Sequence, residues 1–274
     1  MKKKLFFLII AFVFLLKSNA AQFEYPVGAR SGALGDASST FVDIWSAFNN
    51  QAGLAYLSSF TAGVNYENRF LLPELGLKSV AFAMPYKGTV FALSASSFGY
   101  NLYSENKYGF ALAKAFGEKV SAGVQLDYLN MHIAEGYGNA GLFTAEIGLL
   151  IKPLKNLVIS AHVFNPVRRK IDDYNNERIT TIMKCGASYT FSEKLLLAIE
   201  VVKDNLQDAQ FKAGLEYHIV KEMYLRAGMG TNPSRISFGI GLNLKKLRID
   251  IASSYHPVLG YSPQLSLLYP IRYE

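Results

Sequence analysis

From Phe60 to Tyr269 the chain alternates apolar residues with small or polar ones at period two, in fourteen short segments. The series opens with Phe60–Arg69, Leu77–Tyr86 and Thr89–Phe98 and closes with Leu247–Tyr255 and Ser262–Tyr269. Each segment with its connection takes roughly 15 residues, which suits strands of about 9–11 residues tilted across a bilayer. Helical periodicity is absent, and Gly, Pro, Asn and Lys punctuate the segments. Tight connections such as Lys87-Gly88, Gly117-Glu118 and Lys245-Lys246 alternate with longer ones: Phe70–Gly76, Gly99–Asn106, Met131–Gly141 and Asn165–Glu177. That asymmetry predicts an all-β fold, a transmembrane antiparallel β-barrel of about 14 strands. Its tight turns face the periplasm and its long loops the exterior.

The alternation also assigns faces. Phe211, Ala213, Leu215, Tyr217 and Ile219 share one side, with Lys212, Gly214, Glu216 and His218 between them. Apolar-out and polar-in is the inverse of a soluble barrel, and lipid contact requires it, because Lys or Arg at the bilayer midplane costs about 2–4 kcal/mol. The parity turns ten charges toward the lumen: Glu67, Asp127, Glu146, Lys184, Glu200, Lys212, Glu216, Arg226, Arg248 and Asp250. A ladder of paired charges accounts for them, since opposite charges on adjacent strands attract; an ion path is the alternative, and mixed signs argue against strong selectivity. Gly63, Gly109, Gly123, Gly148, Gly186, Gly214, Gly228, Gly239 and Gly241 take the same inward parity. Glycine on one strand face marks either close approach of another backbone or sharp coiling of the sheet.

Half of the residues are hydrophobic, yet the longest uncharged apolar run, Leu5–Leu16, is too short for a membrane helix. Lys2-Lys3-Lys4 precede that run, Lys17 follows it, and Ser18-Asn19-Ala20 offers small residues for cleavage before Ala21. Residues 1–20 thus read as a secretory signal peptide. Without its four lysines the formal charge falls from +7 to +3. The basic balance is mostly targeting signal, and no nucleic-acid partner is implied. Cys185 is the only cysteine, so no internal disulfide forms; it reads as a small apolar packing residue.

Residues 21–58 are not strand-like. A Gly/Ala/Ser-rich half precedes a helix-like half, Asp43–Leu57, in which Asp43 or Ser46 caps a short helix carrying Trp45. Too polar to span a membrane, this stretch reads as a plug or hatch that enters the barrel of residues 59–274 from the periplasm. Its motif residues are Gly28, Arg30, Gly35, Asp36, Asp43, Trp45, Asn50 and Gly53. In order, Gly28-Ala29-Arg30, Gly35-Asp36-Ala37, Asp43-Ile44-Trp45 and Asn50-Gln51-Ala52-Gly53-Leu54-Ala55 resemble the opening of the PorV/PorQ family, itself related to the FadL-type barrels. The family's usual pattern ends in Asn-Pro-Ala-Gly-Leu, and Gln51 stands where proline is common. The resemblance implies a fourteen-stranded barrel in the outer membrane of a Gram-negative bacterium. For PorV-like members it implies work in type IX secretion or surface attachment, with secretion-system or exported client proteins as partners. For FadL-like members it implies passive uptake of a hydrophobic small molecule.

Catalysis finds little support. Ser160 and His162 share a face but lie about 7 Å apart along one strand, without the orienting group and oxyanion site that hydrolysis needs. The scattered histidines show no ligand spacing, and no phosphate-cradling glycine loop occurs, so neither a metal nor a cofactor is expected. Leu129, Ile182, Leu196 and Leu268 are inward apolar exceptions that could line a pocket. The reading taken from the sequence places an interaction role of the PorV/PorQ type first and a FadL-like channel second, with outer-membrane lipid as a partner in both.

Overall fold

The computed structural model describes residues 23–134, 138–169, 179–205 and 207–271. The signal peptide expected over residues 1–20 lies outside them. Fourteen strands follow one another in chain order: β1 (Phe60–Asn68), β2 (Gly76–Tyr86), β3 (Thr89–Tyr100), β4 (Tyr103–Phe116), β5 (Val120–Ile133), β6 (Gly138–Leu154), β7 (Leu157–Phe164), β8 (Ile182–Ser192), β9 (Leu195–Asp204), β10 (Gln210–Val220), β11 (Met223–Gly230), β12 (Arg235–Leu244), β13 (Leu247–His256) and β14 (Gly260–Ile271). All neighbours pair antiparallel, and β1 pairs with β14 from Phe60↔Ile271 to Glu67↔Gln264, which closes the barrel. Closure removes both sheet edges, as a backbone in hydrocarbon requires. No helix among the described residues is long and apolar enough to cross a membrane.

The faces follow the alternation. Leu215, Ile240, Ile251 and Ile147 are exposed on the outside, while Lys212, Glu216, Asp250 and Glu146 are buried inside. Exposed aromatics ring both ends: Tyr66, Tyr108 and Tyr255 on the loop side, Tyr86, Phe116 and Phe191 on the turn side, an arrangement that fits two interfacial girdles. Two expected loops are corrected. The connection anticipated over Gly99–Asn106 shrinks to Asn101-Leu102, because β3 and β4 stay paired out to Tyr100↔Tyr103. Likewise β5 and β6 stay paired to Ile133↔Gly138, so most of Met131–Gly141 is strand. In both hairpins the ladder continues through polar residues that look like loop in the sequence. The connection Phe70–Gly76 instead carries two short 3-10 turns, Arg69–Leu71 and Pro73–Leu75.

The interior is filled by the chain's own N-terminal segment. It has a helical turn α1 (Ala29–Ala33), a second turn α2 (Ser46–Asn49) and a 3-10 helix over Gln51–Tyr56. Nearly every residue from Phe23 to Leu54 is buried or half-buried. The segment leaves at the tight-turn end, where the Tyr56 hydroxyl donates to the Glu118 carbonyl at 3.3 Å. Its described start lies at the opposite end: Phe23 packs with Leu129, Phe164 and Ile182 near the long loops. The segment thus runs the length of the lumen.

The inward glycines are where the wall meets it. A Cβ on Gly214 would lie 2.5 Å from Leu34 Cβ, and one on Gly228 would lie 2.2 Å from the Gly35 amide nitrogen. Gly123, Gly148 and Gly239 face Gln51, Asn50 and Ala33 in the same way. Of the two readings of the glycine stripe, close approach of the segment, by its backbone or its side chains, therefore holds for most positions. At Gly109 and Gly241 the crowding comes instead from wall side chains, Gln125 and Arg226. Two adjacent substitutions separate the faces. Gly228→Leu should destabilise by about 1–3 kcal/mol through overpacking. Ala227→Leu, on the exposed face, should stay within about 0.5 kcal/mol of wild type. Urea unfolding in micelles reads both, and equal costs would contradict the packing described here.

Candidate functional site

The lumen joins the N-terminal segment to the wall through polar clamps at several heights. Arg30 of α1 grips Glu216 of β10 with two hydrogen bonds, Nε to Oε2 at 2.9 Å and Nη2 to Oε1 at 2.8 Å. Asp43 stands 3.6 Å from the same guanidinium. Glu216 also accepts from Arg226 at 2.6 Å, Arg226 reaches Asp250 at 2.6 Å, and Arg248 reaches Asp250 at 2.9 Å. A charge chain thus runs from the segment across β10, β11 and β13. Bidentate guanidinium–carboxylate pairs are among the stronger hydrogen bonds in proteins. Removing one member of a buried pair typically costs about 3–5 kcal/mol, because it leaves its partner uncompensated.

A second cluster centres on Glu146 of β6, which is fully buried. Lys107 of β4 pairs with it. His162 Nε2 donates to its Oε2 at 2.7 Å, and Gln51 Nε2 of the segment donates to the same oxygen at 2.6 Å. Asp127 accepts from Gln125 at 2.8 Å and lies 4.0 Å from Lys107. Gln51, the departure from the expected Asn-Pro-Ala-Gly-Leu pattern, is here the residue that binds the segment to the wall. Proline at that position could not make this contact.

The turn between α1 and Phe41 is held from three strands. Glu200 of β9 accepts from the amides of Ser38 at 3.1 Å and Ser39 at 2.8 Å. Lys212 lies 3.6 Å from Glu200. Ser160 donates to the Ser39 hydroxyl at 2.9 Å, and Arg235 of β12 pairs with Asp36. Near the loop end, Lys184 pairs with Glu24, Tyr25 donates to Glu105 at 2.7 Å, and Arg69 bridges Glu67 at 3.2 Å while stacking over Tyr25.

The remaining motif residues shape the segment itself. Gly28 has φ +104° and packs against the Trp45 ring, where a Cβ would come within 2.7 Å. Trp45 is buried among Ile44, Phe48 and the small wall residues Ala81, Ala83 and Ala111. Gly35, at φ +65°, presses on the Met229 backbone. Asp43 accepts from the Trp45 amide at 2.9 Å; Asn50 accepts from Ala52 at 3.2 Å and donates to the Ser39 carbonyl at 2.8 Å. Gly53 leaves room for the Phe41 carbonyl. All ten charges assigned to the lumen lie inside, nine of them buried and Arg248 half-buried. Sequence reasoning passed over Lys107, although it shares parity with inward Gly109, and Asn49, whose side chain pairs with both backbone groups of Val27. Cys185 faces outward and is exposed.

The interior apolar residues form separate groups. Leu129 and Ile182 join Phe23, Phe164, Ile179 and Val202 at the loop end, flanked by Met131 and Leu142. Leu196 packs by Phe41, and Leu268 by the Trp45 group. Among the described residues, no group of His, Cys, Asp or Glu side chains is arranged to hold a metal ion.

No protein-family model matches the chain, and no curated protein matches it. Solved structures do. The Pseudomonas putida toluene transporter TodX is 11% identical with a TM-score of 0.68, over 92% of this chain and 100% of that one. A TodX monoaromatic hydrocarbon channel, the deltaS2 mutant, is 12% identical with a TM-score of 0.70, over 91% and 100%. A Pseudomonas aeruginosa FadL homologue is 12% identical with a TM-score of 0.66, over 92% and 100%. The fold is that of the FadL- and TodX-type outer-membrane barrels.

The Asp36 clamp carries a pH signature. Burial alone pushes its carboxyl up, but the charges of Arg235, Lys212 and Arg69 more than offset this and hold it below the usual carboxylate range. Its contribution to stability is therefore full above the unfolded value of about 3.9 and lost as pH falls through the lower folded value. The stability difference between wild type and Asp36→Asn should shrink as a micellar sample is acidified below about pH 4. A difference independent of pH would contradict the clamp.

Proposed function

We propose that this barrel of FadL and TodX architecture is a passive outer-membrane channel for a hydrophobic small molecule, with residues 21–58 as its plug. It would reach the outer membrane of a Gram-negative bacterium through a cleaved signal peptide over residues 1–20. The observation that carries the reading is the apolar group at the loop end of the lumen. Phe23, Leu129, Phe164, Ile179, Ile182 and Val202 gather where a solute from outside would first meet the interior. A polar lumen has no need of such a group, whereas a hydrophobic solute gains about 25 cal/mol per Å² of apolar surface withdrawn from water. Phe23 belongs to the plug, so solute and plug would compete for the same surface. The full-length likeness to a toluene transporter and to a monoaromatic hydrocarbon channel supports the same class of cargo.

Type IX secretion or surface attachment is the second reading. It rests on the resemblance of Gly28–Ala55 to the PorV/PorQ opening. The contacts of those residues argue for a segment-folding role: Gly28 seats Trp45, and Asn50 and Gly53 close the turn. The order of the two readings taken from the sequence is therefore reversed.

One experiment separates them. A deletion strain is complemented with wild type or with Phe164→Asp, and uptake of toluene and of a long-chain fatty acid is followed beside the surface and secreted proteome. The channel reading expects uptake to fall in the deletion and in Phe164→Asp, with an unchanged secretome. Normal uptake with a depleted secretome would overturn it.

A further inference from the structure

Buried donors and acceptors ordinarily balance, and around Glu146 they do not. The donors of this cluster are all engaged by its two carboxylates. Lys107, His162 Nε2 and Gln51 Nε2 go to Glu146, and Gln125 Nε2 goes to Asp127 at 2.8 Å. Four acceptors are left over. Gln51 Oε1, Gln125 Oε1, Asp127 Oδ2 and His162 Nδ1 have no hydrogen-bond partner among the described residues, and the residues that carry them are at most 3% exposed. Their surroundings are shared. Gln125 and Asp127 stand on the inner face of β5, Glu146 is the cross-strand partner of Gln125, and Gln125 Nε2 also reaches Glu146 at 3.4 Å. Gln51 approaches the same carboxylate from the segment.

Charge is out of balance in the same sense. Two carboxylates face one lysine, and the neighbouring Lys184 is already matched by Glu24. A surplus negative charge away from water is costly unless something positive compensates it. A proton on Asp127 or His162 cancels the charge but leaves the two amide oxygens unanswered, because they only accept. Water donates to those oxygens but brings no charge. A small cation does both, and it needs no acceptor of its own.

We propose that Gln51 Oε1, Gln125 Oε1 and Asp127 Oδ2 hold one monovalent alkali cation between the segment and the wall. Amide and carboxylate oxygens are hard ligands, suited to sodium or potassium and poorly suited to zinc or copper. One surplus charge selects a monovalent ion over calcium or magnesium, which bring two. Two of the three ligands are amides, so the set differs from the groupings of His, Cys, Asp and Glu that hold other metals, none of which occurs among the described residues. Gln51 opens the 3-10 helix of the segment and the other two ligands belong to β5. The cation is thus one more clamp on the plug, and it stands whatever solute the barrel carries.

The test uses the full-length protein in detergent micelles at one ionic strength, made up with sodium, potassium or N-methyl-D-glucamine chloride. Thermal unfolding should come several degrees higher in sodium or potassium than in the bulky organic cation. The midpoint should rise with the logarithm of the alkali concentration, as for a ligand that only the folded state binds. In Asp127→Asn and in Gln125→Leu that difference should vanish. A second readout needs no variant: the side-chain amide resonances of Gln51 and Gln125 should shift on titration with the stabilising ion, while those of the inward Gln264 stay in place. Equal midpoints in all three salts would assign the charge balance to a proton and overturn the proposal. So would a salt difference that both variants keep, or Gln51 and Gln125 resonances that ignore the ion.

Discussion

A fourteen-stranded wall encloses more room than its own inward side chains fill. Eight strands leave an interior just wide enough for side chains, and larger barrels leave a channel or need a plug. Here the N-terminal segment supplies the missing core, and the wall is adapted to receive it. Glycines replace side chains where α1 and the following turn approach, and alanines face Trp45. Without the segment, Glu216 would lose the partner that reaches it from Arg30, and Glu200 would lose the two amides it binds. Wall and segment are two parts of one packing solution.

The same arrangement sets how the lumen is filled. Charges on the inner wall are bound to one another and to the segment, so the filled lumen is neither an open ion path nor an apolar tunnel. One apolar group lies at the loop end, where Phe23 occupies it, and a larger one surrounds Trp45. The clamps below that point are spread over β6, β9, β10 and β12, so movement of the segment must break several of them. Breaking buried pairs one at a time is expensive, which favours the filled state.

Much of this was legible in the sequence because period two carries both the strand count and the direction of every side chain. Glu146, Lys212 and Asp250 were placed inside by parity alone. The neighbours Glu200 with Lys212 and Glu216 with Arg226 were legible from adjacent strands, but the partners on the segment were not: Arg235 meets Asp36 across 199 positions, and nothing local to either residue announces it. Lys107 escaped notice because it stood at the expected edge of a strand that in fact begins at Tyr103. The role of Gln51 needed Glu146 beside it.

The central claim is that the segment fills the lumen, and the single tryptophan reports on it directly. Trp45 is 2% exposed, enclosed between the segment and the wall of β1 to β4. In the folded barrel its emission should be blue-shifted and nearly insensitive to acrylamide and iodide, and both should revert to the behaviour of free tryptophan on unfolding in urea. Free quenching of Trp45 in the folded protein would contradict the account.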